Sequence, residues 1–277
     1  RRSWFDRLTT NGVSDRCPCL DFPNVRVYAK CIVAKRRIDT LLAVRGLVES
    51  REKARVMVME GSVVVDNRTV IKPSALVDEA ADIKILESPQ FVGRGGLKLD
   101  YALDQFQVDV NDMVVVDVGA STGGFTDCLL KRGARKVYAV DVGYGQLDYR
   151  LRQDRRAVVM ERVNARYDFT LPGPVDLATV DVSFISLEKV MPTVVKLVKP
   201  GGQMIVLVKP QFEAGKKQVS KGGLVKDPLV HANVLGRFIS WAVEHSFRFG
   251  GLVASPVLGA EGNKEFLVLL WKGKQES

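Results

Sequence analysis

Four charged residues stand where charge is costly. Lys98 lies in GLKLD at a joint between segments, and Asp181 ends the apolar run DLATVDVS. Lys209 ends MIVLVKP, and Glu265 opens KEFLVLL. An ammonium at the end of an apolar strand needs a partner, because burying it unpaired is expensive. Two lysines and two carboxylates brought together would satisfy one another. Any one of the four alone reads better as half of a structural ion pair. Together they could also move a proton. Free lysine has a pKa of about 10.4, so a lysine base needs a lower value at neutral pH. A second ammonium and burial push that way, and carboxylates push back.

The stretch that must position such groups is VVVDVGASTGGFTDCLL, residues 114–130. It reads as a buried strand, a glycine-containing turn, and a helix from about Thr122. That is the first βα unit of a doubly wound α/β domain. Glycine lets the backbone approach a ligand closely, and the helix start offers free N–H groups. The next strand, Lys136 to Val140, ends in Asp141, 24 residues after Asp117. An acidic residue there suits the hydroxyls of a nucleoside ribose. The turn is D-x-G-x-x-x-G-G, not G-x-G-x-x-G. Asp117 would repel a pyrophosphate, whereas a cationic or zwitterionic ligand tolerates it. The turn therefore favours S-adenosylmethionine over a dinucleotide, with Asp117, Gly119, Ser121 and Gly123 as turn contacts. A glycine turn with no ligand is the plain alternative.

Composition sets the frame. The chain has 277 residues, 46% hydrophobic, with a net charge of +9. That length holds one large domain or two smaller ones, and the charge favours an anionic partner such as nucleic acid. Lys30 to Val56 concentrates it, with eight Lys/Arg against three Asp/Glu. Cys17, Cys19, Cys31 and Cys128 match no common zinc spacing, so no metal is expected. Cys128 reads as core, and a reducing cytoplasm is the natural setting. No apolar run approaches the roughly 18 residues of a membrane span. The chain opens on Arg1 rather than Met, as a fragment or processed form would.

Four segments follow in order. Residues 1–34 lack periodicity and read as an extension of uncertain status. Residues 35–87 read as two short helices and a small sheet. RRIDTLLAVRG places Ile38, Leu41, Leu42 and Val44 on one side and stops at Gly46. Ser50 is the expected cap of a second helix that buries Ala54, Val56 or Met57, and Val58 and ends at Gly61. SVVVDNRTVI reads as a hairpin about Asp66-Asn67, and Asp82 to Leu86 as another strand. Arg36, Arg37, Arg45, Arg51, Lys53 and Arg55 are expected on the helices, as a basic surface. Residues 88–97, with Pro89, Gly93, Gly95 and Gly96, form the linker. Residues 98–277 carry a helix at 97–106, then strands at 113–118, 136–141, 156–160, 175–181, 202–208, 248–255 and 264–271. Helices are expected at 122–132, 145–152, 186–198 and 228–245. Such alternation gives a mainly parallel sheet whose last two strands pair antiparallel. Glu213 to Asp227, with four lysines and three glycines, is expected to be a mobile loop that contacts RNA.

Two resemblances sharpen this. RIDTLLAVRGLVESREKARVMVMEGSVVVDNRTV resembles the αL-type RNA-binding domain of ribosomal small-subunit protein four. That resemblance implies a two-helix surface that grips phosphates, to which planar guanidinium groups are suited. GRGGLKLD, VVDVGASTGGFTDCLL, VDVGYGQL, VDVSFISL, LVKPQFE and GNKEFLV resemble the FtsJ-like ribose 2′-O-methyltransferases. The two-part arrangement over residues 36–272 is similar to the TlyA, or haemolysin A, family of ribosomal RNA methyltransferases. The implied fold is α/β: a Rossmann-like seven-stranded S-adenosylmethionine-dependent methyltransferase domain after a small α+β RNA-binding domain. The implied reaction is methyl transfer to a ribose 2′-hydroxyl, at cytidine, in ribosomal RNA or ribosomal subunits. Lys98, Asp181, Lys209 and Glu265 become the family's catalytic tetrad, with Lys209 as base or activator. Asp181 and Glu265 would orient the lysines, and Lys98 would hold the 2′-oxygen or a phosphate. Asn164 in RVNAR matches the adenine contact, against a simple turn role. Two other readings are a nonenzymatic RNA-binding assembly factor and a haemolysin-type membrane-active protein. The tetrad and glycine turn argue against the first, and no amphipathic or transmembrane segment supports the second.

Overall fold

The computed structural model describes residues 35–59, 61–86, 90–259 and 262–273. The expected extension at 1–34, with Cys17, Cys19 and Cys31, lies outside the described residues.

Residues 35–85 contain β1 (Lys35–Arg37), α1 (Ile38–Val44), α2 (Arg51–Met59), β2 (Val63–Val65), β3 (Arg68–Thr69), β4 (Leu76–Asp78) and β5 (Ile83–Ile85). Ser50 caps α2 as its sequence suggests: Lys53 N donates to Ser50 Oγ at 3.1 Å. Asp66 and Asn67 take φ of 47° and 62°, the paired left-handed conformation of a type I′ hairpin. That hairpin joins β2 to β3, and β5 pairs with the other side of β2. Ile38, Leu42, Ala54, Val58, Val63 and Val65 form the core between helices and sheet. Two expectations change here. Val44 is exposed, since α1 ends at that residue. Arg36 and Arg37 stand on a strand, not a helix, because β1 pairs antiparallel with β4 and sets Arg36 opposite Val77. Both strands are only three residues long, too short for a period to show in the sequence.

The second layer system follows with α3 (Gly95–Phe106), β6 (Val114–Val118), α4 (Gly124–Lys131), β7 (Lys136–Val140), α5 (Tyr149–Gln153), β8 (Ala157–Met160) and β9 (Val175–Val180). It continues through α6 (Met191–Leu197), β10 (Val198–Val208), α7 (Pro210–Glu213), α8 (Pro228–Glu244), β11 (Phe247–Ala254) and β12 (Phe266–Lys272). The seven strands run in the order β11-β12-β10-β9-β6-β7-β8. The five from β10 to β8 are parallel, and β12 runs antiparallel between β10 and β11. Both faces are covered, so the strands are near-continuous apolar runs. Val116, Val206 and Val268 pack on one side with Phe238 of α8, and Val115, Ile205 and Leu207 on the other with Leu99 and Leu103 of α3. Among the described residues no helix is long and apolar enough to cross a membrane.

The joint is tighter than its composition suggests. Helix α3 begins at Gly95, and Phe91 is buried in the core beneath it. A Cβ on Gly61 would meet Leu97 Cδ1 at 2.7 Å, and Ile71 packs against the same core. The small sheet therefore abuts the start of α3.

Strand direction decides where the charged residues fall. Asp181 follows β9 and Lys209 follows β10, so both leave at the carboxyl edge of parallel strands. Strand β12 runs the other way, with Phe266 opposite Val208. Its preceding residue, Glu265, therefore reaches that same edge. Open α/β sheets bind ligands along this edge.

Candidate active site

A cleft of about 610 Å³ opens at the carboxyl edge, and Lys98, Asp181, Lys209 and Glu265 all line it. The sequence separates the first and last by 167 positions, and here they form an ion pair, Lys98 Nζ to Glu265 Oε2, with both side chains buried. Lys209 Nζ lies 2.5 Å from Asp181 Oδ1 and donates to Ser183 Oγ at 2.9 Å. Asp181 Oδ1 is buried and makes this ion pair without a hydrogen bond of regular geometry. Two ammoniums and two carboxylates thus neutralise one another in pairs around one opening. Such an arrangement tolerates desolvation and can hold an oxygen between opposed charges.

A second cleft of about 360 Å³ adjoins the first and shares Gly119, Ser121, Asp181, Ser183 and Phe184 with it. Asp141 and Asn164 line it beside Val142, Val163, Ile185 and Val190. Asp141 Oδ2 accepts from Ser121 N at 2.8 Å, and Oδ1 accepts from Gly143 N at 2.7 Å. Each carboxylate oxygen has a second lone pair left for a hydroxyl. Asn164 Oδ1 accepts from Arg166 N at 3.1 Å, so its turn role is real and its amide N–H groups stay available. At the junction Gly119 has φ +86°, and a Cβ there would collide with the Asp181 carbonyl. Only glycine fits. Aliphatic walls and a hydroxyl-accepting carboxylate suit a nucleoside.

The FtsJ-like methyltransferase family matches residues 91–272, and the S4 domain matches residues 36–83. The chain belongs to the FtsJ-like methyltransferases. It is 49% identical to YqxC of Bacillus subtilis over 246 residues, which is 87% of each chain. It is 41% identical over 240 residues to the 16S/23S rRNA (cytidine-2′-O)-methyltransferase TlyA of Mycobacterium tuberculosis, covering 85% of this chain and 90% of that one. A solved structure from Streptococcus thermophilus described as a hemolysin has a TM-score of 0.66 at 45% identity. That likeness covers 87% of this chain and 90% of the other.

Within this methyltransferase the turn is divided. Gly119 and Ser121 face both clefts, but Asp117 and Gly123, expected as cofactor contacts, face neither. Asp117 is fully buried and accepts from Thr126 Oγ1 at 2.7 Å and Thr179 Oγ1 at 2.8 Å. Burial, opposed by those two hydroxyls, pushes its carboxyl up to about 7. It braces the turn from beneath. Gly123 has φ +101°, and a Cβ there would collide with Leu151. Its smallness serves packing.

The basic residues of the S4 domain are more engaged than their count suggests. Asp39 is buried, and the hydrogen bond from Arg37, then that from Arg51, holds its carboxyl down to about 2 against burial. The two guanidiniums stay about half exposed, held side by side. Arg36 pairs with Glu79, Lys53 with Glu49, and Arg45 donates to the Ala81 and Glu79 carbonyls. Arg55 is exposed.

Sequence reasoning missed Arg94, Ser183, Phe184, Gln211 and Phe212, which also line the tetrad cleft. Each lies within four residues of a tetrad member and inside one of the matched motifs GRGGLKLD, VDVSFISL and LVKPQFE, which are the signals that could have found them. Phe184 is 90% exposed, has φ +63°, and packs on Phe212 at 4.9 Å between ring centres.

Proposed function

We propose that this methyltransferase methylates a ribose 2′-hydroxyl of ribosomal RNA, at a cytidine, with S-adenosylmethionine as donor. The observation that carries the reading is the meeting of Lys98, Asp181, Lys209 and Glu265 in one cleft beside the Asp141–Asn164 cleft. S-adenosylmethionine, when bound, supplies a methyl group on a positively charged sulfur. Asp141 would hold its ribose hydroxyls, the aliphatic wall and Asn164 its adenine, and Gly119 would admit it to the junction. The M. tuberculosis relative's name supports both the cytidine and the ribosomal substrate.

The chain's own residues then divide the work. A ribose hydroxyl is a poor nucleophile until it loses its proton. Lys209 first gives up a proton to solvent; its neutral Nζ then takes the hydroxyl proton and becomes the ammonium that pairs with Asp181, while Ser183 helps aim the amine. Negative charge grows on the 2′-oxygen as the proton leaves. Lys98, held by Glu265, stabilises it through a charge-assisted contact. Holding oxygen and methyl in line supplies most of the remaining acceleration. The S4 domain contributes affinity: Arg37 and Arg51, aligned by Asp39, grip phosphates together with Arg36, Arg45, Lys53 and Arg55. The cytoplasm, where ribosomes assemble, is the setting that this reading requires.

The test is transfer of tritium from labelled S-adenosylmethionine to unmethylated ribosomal subunits or naked ribosomal RNA, followed by nucleoside analysis. Label on a cytidine 2′-oxygen is the expected result. Label on a base would overturn the tetrad chemistry. Cofactor binding with no transfer to either substrate would overturn the ribosomal assignment.

A further inference from the structure

The segment between α7 and α8 carries Lys216, Lys217, Lys221 and Lys226, all exposed, and sends Val219 and Gly223 into the tetrad cleft. It is tied at both ends. At its start Glu213 is buried and accepts from Ser186 Oγ at 2.8 Å and Leu187 N at 2.7 Å. That bond joins it to the stretch bearing Asp181 and Phe184. At its far end stands Asn263, 1% exposed. Asn263 Oδ1 accepts from Val225 N at 2.9 Å, and its Nδ2 donates to Gly223 O at 2.8 Å. His231 Nε2 bonds the Val225 carbonyl at 2.9 Å, and its ring meets Phe266 edge-on at 5.6 Å. Asn263 is two residues from Glu265, and its own carbonyl accepts from Gly259 N at 2.9 Å.

A buried amide that uses both its donor and its acceptor on one foreign segment is a specific clasp. Apolar packing at that point could exclude water as well, but it would not fix the register of the segment against β12. We infer that Asn263 is a positioning residue that locks the lysine-bearing segment 214–226 to the end of β12 carrying Glu265. The segment and the tetrad then move as one body, so an RNA phosphate gripped by the lysines brings its ribose to a fixed place in the cleft. This inference rests on the reading of the cleft as an RNA ribose site. Asn263 touches neither the RNA nor the cofactor in this scheme. It acts through the backbone at Gly223 and Val225, and through its short tether to Glu265.

The experiment uses the full chain carrying Asn263→Ala, with trypsin cleavage at Lys216, Lys217 and Lys221 measured without RNA. Cleavage should quicken about tenfold, from loss of two buried hydrogen bonds. The KM for ribosomal RNA should rise by a similar factor, while S-adenosylmethionine affinity by calorimetry stays within about twofold. Unchanged cleavage would overturn the clasp, and so would cofactor affinity falling in step with the KM. Should Asn263→Ala fail to melt cooperatively, His231→Phe decides. It removes one bond to Val225, keeps a ring against Phe266, and should quicken cleavage by a smaller factor. The cleavage arm needs no substrate. Wild-type protein that transfers no label to ribosomal RNA would sink the functional reading and leave the clasp to be judged by proteolysis.

Discussion

Replacing Asp117 by Asn should flatten the pH dependence of stability. Asp117 lies beneath the glycine turn with Thr126 and Thr179 as its hydrogen-bonding partners. Its carboxyl stands at about 7 in the folded chain against 3.8 as the reference value. Below 3.8 both folded and unfolded chains hold the proton, and the group has no effect. Between 3.8 and 7 the unfolded chain loses its proton first, so unfolding becomes easier as pH rises. Above 7 the penalty is constant. Three pKa units at 1.36 kcal/mol each set an upper bound of roughly 4 kcal/mol, which relaxation of the folded site trims to about 2–4 kcal/mol. Asn keeps one acceptor for a threonine hydroxyl and can donate to the other, without a charge to bury. Urea unfolding of both proteins at about pH 5 and about pH 8 would measure the effect. The advantage of Asn over Asp should grow by about 2 kcal/mol between those pH values. Groups common to both proteins cancel in that difference. An advantage that is independent of pH, or that shrinks as pH rises, would refute the assignment of a proton to Asp117.

Lys209→Ala should lower turnover by at least about a hundredfold, the usual scale for a positioned acid or base, with calorimetric cofactor binding intact. Asp39→Asn should weaken RNA binding, because Arg37 and Arg51 lose their shared anchor. Its stability cost, about 1 kcal/mol after screening through the half-exposed guanidiniums, is present above pH 3.8 and lost as pH falls through about 2. Denaturation at neutral and strongly acid pH tests that sign. Gly119→Ala should reduce S-adenosylmethionine affinity at least about tenfold, since a new Cβ strains a left-handed position and collides with the Asp181 carbonyl. Ribosomal RNA should slow trypsin cleavage at Lys216, Lys217 and Lys221, and equal rates with and without RNA would remove those lysines from the interface.

The fold was legible where apolar runs were long. All seven strands of the large sheet fall within a few residues of their expected places, because strands covered on both faces leave unbroken Val and Leu runs. The expected helix at 186–198 instead divides into a 3₁₀ turn, Leu187–Lys189, and α6. Short β1 and β4 left no period, and Arg36 and Arg37 were misread as helical for that reason. Asp181, Lys209 and Glu265 stood out because charge at the end of an apolar strand is rare, and the family resemblance added Lys98, which stands on α3; the structure brings the four to one cleft. The role of Asp117 was hidden because an acidic residue at a turn looks the same whether its side chain points to the ligand or to two threonines beneath it. Asn263 was invisible for a related reason: a hydrogen-bond clasp has no sequence spacing of its own.

Strand β12 joins the sheet last and between two others, and this has a consequence during synthesis. The ribosome releases residues 36–83 early, so the phosphate-gripping part of the chain is complete while β12 is still untranslated. Until β12 inserts, β10 keeps an open edge, Lys98 lacks its carboxylate partner, and segment 214–226 lacks its clasp. Nascent or truncated chains that stop short of Asn263 would therefore hold RNA without modifying it. The last strand therefore brings the sheet edge, the Lys98 partner and the clasp together in one stretch of chain.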